Sequence, residues 1–223
     1  MTPPLPVVFD ALRSMYGPQP GWWPQRDGPI EVCFGAILVQ HTTWASAARA
    51  IDALREAGAL DCRGLLGLPE ARLEELVRPA GTYRTKARAL RAFARAIADD
   101  HGGDFAALLA GPPAEVRARL LRIRGIGLET ADAVLLYAAG LPAFIVDAYA
   151  VRLWCRLGLG PLAPAEVVRA ASEDVERLRE WHALVVEHGK RTCRAARPRC
   201  EACVLRPDCR YAATAPGSAT GAS

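Results

Sequence analysis

The chain has 223 residues and a formal charge of +4, with 28 Lys+Arg against 24 Asp+Glu. Hydrophobic residues make up 51% and charged residues 23%, the balance of an ordinary soluble globular protein with one large domain or two small ones. No apolar run is long enough to span a bilayer, the start MTPPLPVVFDALR lacks the features of a secretory signal, and the mild basicity permits a nucleic-acid partner without demanding one.

The apolar share is largely Ala and Leu, which favours helices over strands. Residues 7–15 predict a short helix, followed by the loop GPQPGWWPQRDGP at 17–29. Residues 30–40 are strongly apolar and predict a buried helix. In 43–57, Trp44, Ala47, Ala48, Ile51 and Leu54 recur at helical spacing. Gly58, Gly64 and Gly67 punctuate the next stretch. Pro69 starts a helix through residue 77, Gly81-Thr82-Tyr83 breaks it, and 86–101 forms the next. A short helix lies between Gly103 and Gly111. Residues 115–122, 128–139, 148–157, 165–172 and 174–189 complete the helical rhythm. The composition then shifts to Cys and Arg, and residues 212–223, small and polar, predict a disordered tail. There is no sustained strand alternation and no tandem repeat.

The chemistry centres on residues 120–152. Ile123-Arg124-Gly125-Ile126-Gly127 reads as a tight turn that opens a helix, with Gly where φ is positive or another backbone comes close. Successive amides at the start of helix 128–139 offer an anion site, and on a basic chain that anion is a nucleic-acid phosphate. Twenty residues after Gly127, Asp147 precedes helix 148–157. It is either an N-cap or a carboxylate at the mouth of a cleft.

Cys33, Cys62 and Cys155 lie in helical apolar patterns and are expected as buried small hydrophobes. The other four form Cys193-x6-Cys200-x2-Cys203-x5-Cys209, a loop that can close round a metal. Disulfides are disfavoured without an export signal. Zinc is chemically possible, although zinc sites usually use two close pairs with a longer arm between them. Lys190, Arg191, Arg194 and Arg199 are among the basic residues that surround these thiols.

The hairpin glycines, the loop Gly140-Leu141-Pro142, Val146-Asp147 and the cysteine spacing together resemble the endonuclease III family, the helix-hairpin-helix-GPD superfamily of DNA glycosylases, over about residues 28–210. The resemblance implies an all-α fold of two domains. Residues 1–29 and 142–211 would form an iron–sulfur cluster domain. Residues 30–141 would form a six-helix barrel carrying the helix-hairpin-helix, with Asp147 at the mouth of a cleft between the domains. The cofactor implied is a 4Fe-4S cluster on Cys193, Cys200, Cys203 and Cys209. Ile123, Arg124, Gly125, Ile126 and Gly127 would bind the DNA backbone. Gln40 corresponds to the polar residue that wedges into the gap left by an extruded base. Gly81-Thr82-Tyr83-Arg84-Thr85-Lys86-Ala87 matches the family's Gly-x-Tyr-x-x-Lys-Ala segment near the DNA backbone, which makes Lys86 a phosphate contact. Without the resemblance, Gln40 is a polar helix end and Lys86 a solvated charge.

The chain also departs from the family pattern. Glu129 stands where bifunctional members carry a nucleophilic lysine, and Leu121 replaces a glutamate of the oxidised-pyrimidine branch. Lys86 and Lys190 are the chain's two lysines. These changes argue against lyase chemistry and leave Asp147 as the catalytic carboxylate, stabilising an oxocarbenium-like transition state. An N3- or N7-alkylated purine is cationic, leaves without a general acid, and is well recognised by tryptophan. Trp23-Pro24 and the Gln-His-Thr-Thr-Trp run ending at Trp44 resemble the 3-methyladenine glycosylase branch. Trp23, Trp44 and Glu129 are therefore expected at the base pocket, with Trp22 a further candidate and core packing the alternative. The expected function is monofunctional excision of a damaged base, an alkylated purine first, from double-stranded DNA. The protein would act as a cytoplasmic, nucleoid-associated monomer with no membrane partner. The rivals are a bifunctional enzyme on oxidised pyrimidines and a DNA-binding homologue with little activity.

Overall fold

The computed structural model describes residues 3–214, and those residues are helical with no strand. The expected tail at 215–223 lies outside them. The chain divides into two compact units, one built from Met1–Trp22 with Pro142–Ser223 and the other from Trp23–Leu141. The N-terminal boundary between these units falls between Trp22 and Trp23, and residues 23–29 go with the unit that follows rather than with the one that carries the four-cysteine loop.

The central unit is organised around α2 (Pro29–Leu38), in which every residue from Glu31 to Leu38 is buried. A helix apolar all round has no solvent face and becomes the core element. It packs against α3 (Trp44–Glu56), α6 (Tyr83–Asp100), α9 (Leu128–Ala133) and the π-helical segment Val134–Ala139 that continues α9. Glu31 is tolerated inside because it accepts from the Asp27 backbone amide at 2.8 Å and from Arg55 Nη2 at 3.0 Å. Helix α6 buries Ala87, Leu90, Phe93, Ala94 and Ile97, the stripe expected of an amphipathic helix, and Phe93 meets Phe34 of α2 edge-on at 6.3 Å. The glycine-punctuated stretch holds a short helix that periodicity did not predict, α4 (Cys62–Gly67), capped by Asp61. With α5 (Glu70–Leu76), α7 (Phe105–Leu109) and α8 (Pro113–Leu121), this unit has eight α-helical segments among the described residues, several of them a turn or two long.

In the other unit, α1 (Leu5–Tyr16) packs on α11 (Pro164–Ala170) and α12 (Val175–Arg191), while α10 (Ala148–Leu157) packs on α12 and α13 (Arg210–Thr214). Phe9 stacks on Trp181 at 4.0 Å and meets the edge of Trp154 at 6.1 Å. Trp154 is 1% exposed, so its truncation to Ala would cost about 3–5 kcal/mol. Helices α10 and α12 approach over Gly189, where an added Cβ would clash with the Tyr149 ring. Cys155, expected inside, is exposed, because α10 turns Ala150, Leu153, Trp154 and Leu157 inward. Residues 212–214, expected disordered, are helical, and Ala212 is buried. Among the described residues no helix is long and apolar enough to cross a membrane.

Candidate active site

Asp147 is the N-cap of α10. Its Oδ1 accepts from the amides of Tyr149 and Ala150, both at 2.9 Å. That arrangement satisfies two of the helix's orphan donors and fixes the plane of the carboxylate. Oδ2 stands 4.0 Å from His182 Nε2, with the Asp147 side chain 17% exposed and that of His182 5% exposed. A carboxylate at this distance favours the imidazolium, but complete burial outweighs it and, with Lys190, pushes His182 down to about 3. His182 is therefore neutral at physiological pH. Its ring is framed by Trp22, edge-on at 5.4 Å, and by Phe144 at 6.2 Å. The capping role and an accessible carboxylate thus coexist in one side chain. Nothing in the residue spacing pointed to His182, which sits thirty-five positions downstream on α12.

The hairpin lies in the central unit. Gly125 has φ +92°, and an added Cβ would lie 2.5 Å from the Ala89 Cβ of α6. Positive φ and close approach together make glycine obligatory there. Gly127 differs: its φ of −94° suits any residue, and the space where a Cβ would stand is open. Ile123 and Ile126 point inward, 7% and 6% exposed, while Arg124, Gly127, Leu128 and Glu129 are exposed. Arg117 of α8 clamps α9 through Asp132, at 2.6 and 3.1 Å. Gln40, just past α2, donates Nε2–H to Gly125 O at 3.1 Å and to Thr130 Oγ1 at 2.9 Å. The structure thereby brings Gln40 and the hairpin together.

Lys86 requires a correction. It is 2% exposed, and its ammonium donates to the carbonyls of Leu38 at 2.9 Å and Ala80 at 2.5 Å. These carbonyls end α2 and the 3₁₀ turn Arg78–Ala80, where a cation meets unpaired acceptors and the negative ends of two helices. Burial lowers its pKa. Lys86 is an internal tie between three elements, not a solvated charge or a phosphate contact.

The tryptophans separate into two groups. Trp23 meets Trp44 at 5.4 Å and 69°, and Tyr137 at 5.0 Å and 36°. Trp23 and Trp44 are half-buried and Tyr137 is buried. Trp44 also packs its ring against Gly35 of α2. Tyr137 comes from the π-helical segment, whose carbonyl at Tyr137 accepts from Gln25 Nε2 at 3.0 Å. Such wide turns recur at functional sites. Trp22, although adjacent in sequence to Trp23, joins His182 instead and carries Lys190 Nζ over its ring at 5.6 Å.

Cys193, Cys200, Cys203 and Cys209 are half-buried, free, and line one pocket with Leu153, Arg156, His188 and Thr192. Among the described residues no three His, Cys, Asp or Glu side chains converge on a single ion position. Arg156 Nη1 donates to Cys193 Sγ at 3.2 Å and to Arg194 O at 2.7 Å, and Nη2 donates to Ala195 O at 3.0 Å. Arg152 holds Cys193 O at 2.8 Å and Gly189 O at 3.2 Å. Two arginines one turn apart on α10 therefore anchor the start of the loop, a role the sequence did not reveal. Burial first, and then the neighbouring thiols, push Cys203 up to about 11. Four sulfur donors round one pocket form a donor set that suits a soft metal group.

Comparison with known proteins places these features in a family. Residues 34–177 match the model of the HhH-GPD superfamily of base excision DNA repair proteins. A protein of Methanocaldococcus jannaschii described as a DNA repair glycosylase is 37% identical over 209 residues, 91% of this chain and 94% of its own. Endonuclease III of Treponema pallidum is 31% identical over 91% of this chain and 93% of its own. Among solved structures, endonuclease III trapped as a covalent DNA intermediate superposes with a TM-score of 0.78 at 24% identity, covering 95% of this chain and 98% of that one. The 3-methyladenine DNA glycosylase of H. pylori bound to 1,N6-ethenoadenine gives 0.71 at 24% identity, over 82% and 96%. These likenesses show the fold, and the matched family and the relatives over nearly full length show the kinship: the chain belongs to the HhH-GPD superfamily of base excision DNA repair proteins.

Proposed function

We propose that this protein is a monofunctional DNA glycosylase that cleaves the N-glycosidic bond of a damaged base in double-stranded DNA, with Asp147 as its catalytic carboxylate and an alkylated purine as the leading substrate. The observation that carries the reading is the state of Asp147. Its plane is fixed by two amides, it remains partly open to solvent, and it faces a buried, neutral imidazole. A preorganised negative charge of this kind stabilises the positive charge that develops at the anomeric carbon, and it acts in the transition state rather than the ground state. Monofunctional chemistry is supported by the lysines. Lys86 is buried and committed to two carbonyls, Lys190 lies over Trp22 beside the cysteine loop, and the hairpin position carries exposed Glu129. The hairpin position and Lys86 therefore offer no Schiff-base nucleophile.

The hairpin amides and the open face of Gly127 suit a DNA phosphate, with Gln40 held beside them to fill the gap of an extruded nucleotide. Electron-rich faces of Trp23, Trp44 and Tyr137 suit a cationic base. The four loop cysteines suit a 4Fe-4S cluster by their spacing, Cys193-x6-Cys200-x2-Cys203-x5-Cys209, and by lining a common pocket. When bound, such a cluster supplies folding energy to the loop and a redox-active centre outside the hydrolytic chemistry.

Relatives named endonuclease III keep a second reading in play, a bifunctional glycosylase/lyase on oxidised pyrimidines. A panel of lesion-bearing duplexes with borohydride trapping separates the two. Excision of 3-methyladenine or 7-methylguanine with no trapped adduct supports the proposal, and a high yield of trapped adduct on oxidised pyrimidines overturns it.

A further inference from the structure

His188 of α12 is 1% exposed, and neither the base-excision chemistry nor the DNA contacts use it. Its Nδ1 lies 2.9 Å from the Tyr16 hydroxyl, which lies 2.7 Å from Thr192 Oγ1. Its Nε2 lies 3.9 Å from Cys203 Sγ, the long end of an N–H···S contact. The four groups form a line from the N-terminal helix α1 through α12 to the cysteine loop. Histidine can serve either form of the sulfur along this line. When the Tyr16 hydroxyl donates its hydrogen bond to Thr192, Nδ1–H donates to the Tyr16 oxygen and the Nε2 lone pair faces a Cys203 thiol. When the Thr192 hydroxyl donates to Tyr16 instead, Tyr16 donates to Nδ1, and Nε2–H points at Cys203 as the thiolate. Rotation of two hydroxyls, a change of tautomer and release of the Cys203 thiol proton to solvent on ligation convert the first pattern into the second without moving a heavy atom.

We propose that His188, oriented by Tyr16 and Thr192, is a positioning residue that donates an Nε2–H hydrogen bond to the Cys203 thiolate when Cys203 ligates the cluster, and that it thereby raises the cluster's reduction potential. This inference rests on the 4Fe-4S reading of the four cysteines. A donor to a ligating sulfur withdraws negative charge, and the reduced cluster carries more of that charge, so the donor stabilises the reduced state. The contact complements that of Arg156 at Cys193: Arg156 is a fixed cation, whereas His188 is a donor whose direction is set by two hydroxyls. Tyr16 is fastened for this task, since Arg191 lies over its ring at 5.3 Å.

The test uses the full chain. Iron and sulfide are measured first, and the reduction potential then follows by protein-film voltammetry on wild type, His188→Leu, Tyr16→Phe and His188→Gln. Both His188→Leu and Tyr16→Phe should lower the potential, His188→Leu more, and His188→Gln, which keeps an N–H donor, should recover part of the shift. If His188→Leu loses its cluster, Tyr16→Phe decides, because Tyr16 does not touch a cysteine. An unchanged potential in iron-loaded Tyr16→Phe and in every iron-loaded His188 variant overturns this inference alone. A wild-type protein that carries zinc or no metal overturns the cluster reading and this inference with it.

Discussion

Lys86 Nζ donates to the Leu38 carbonyl at 2.9 Å. The bond ties the N-terminal half of α6 to the end of the core helix α2, two residues before Gln40, and the second bond to Ala80 draws in the 3₁₀ turn. Lys86→Met keeps the stem's volume and leaves both carbonyls without the donor. It should destabilise the protein by about 2–3 kcal/mol, read as a shift of the urea midpoint. Because Lys86 touches no phosphate, the slope of log affinity for duplex DNA against log salt should match wild type in the folded variant. A slope lower by about one unit would restore Lys86 to the DNA backbone.

The His182 imidazole gives the fold a pH signature. Its folded value is about 3 against 6.5 for the free side chain. Below about pH 6.5 the unfolded chain takes up a proton that the folded chain refuses. Stability therefore falls as pH drops through this window toward 3, by roughly 1.4 kcal/mol per pH unit for this group alone. Chemical denaturation at about pH 6.5 and 5 should show wild type losing about 2 kcal/mol more than His182→Gln. Parallel pH curves for the two proteins would mean that His182 is solvated or protonated in the native state.

The cysteine loop predicts its own analysis. Protein made with ample iron and purified without oxygen should carry about four iron and four sulfide per chain. Cys203→Ala should lose most of that iron and lower the thermal midpoint, since metal binding at such a loop is folding energy. One zinc per chain in the wild type would replace the cluster by a zinc site.

Much of this architecture was legible in the residues. The 3.6-residue stripes of α3, α6 and α12 gave the helices, because packing of one apolar face dominates their stability. The run of α2 marked a core helix. Short helices escaped: α4 is held by the Asp61 cap and α13 by the burial of Ala212, and neither leaves a periodic trace. The capping Asp147, the hairpin glycines and the four cysteines are local patterns, and all could be read from spacing. What escaped was tertiary. Lys86 looked like a surface charge because its two carbonyl partners lie forty-eight and six positions away. Cys155 looked buried because its neighbours on α10 are. His182, Arg152 and Arg156 meet their partners only once α10 and α12 close over Gly189, and no sequence window spans that distance.

The central claim is that the Asp147 carboxylate performs the chemistry, and Asp147→Asn addresses it directly. Asparagine caps a helix as well as aspartate does, so Oδ1 can still accept from Tyr149 and Ala150 and stability should stay within about 0.5 kcal/mol of wild type. The charge alone is removed. The decisive measurement is the single-turnover rate of base release from a 3-methyladenine or 7-methylguanine duplex, alongside affinity for an abasic-site analogue. The account predicts a rate lower by about 100-fold or more with little change in affinity, since the carboxylate acts on charge present only in the transition state. Base release by Asp147→Asn at the wild-type rate would contradict it and leave Asp147 as the cap of α10.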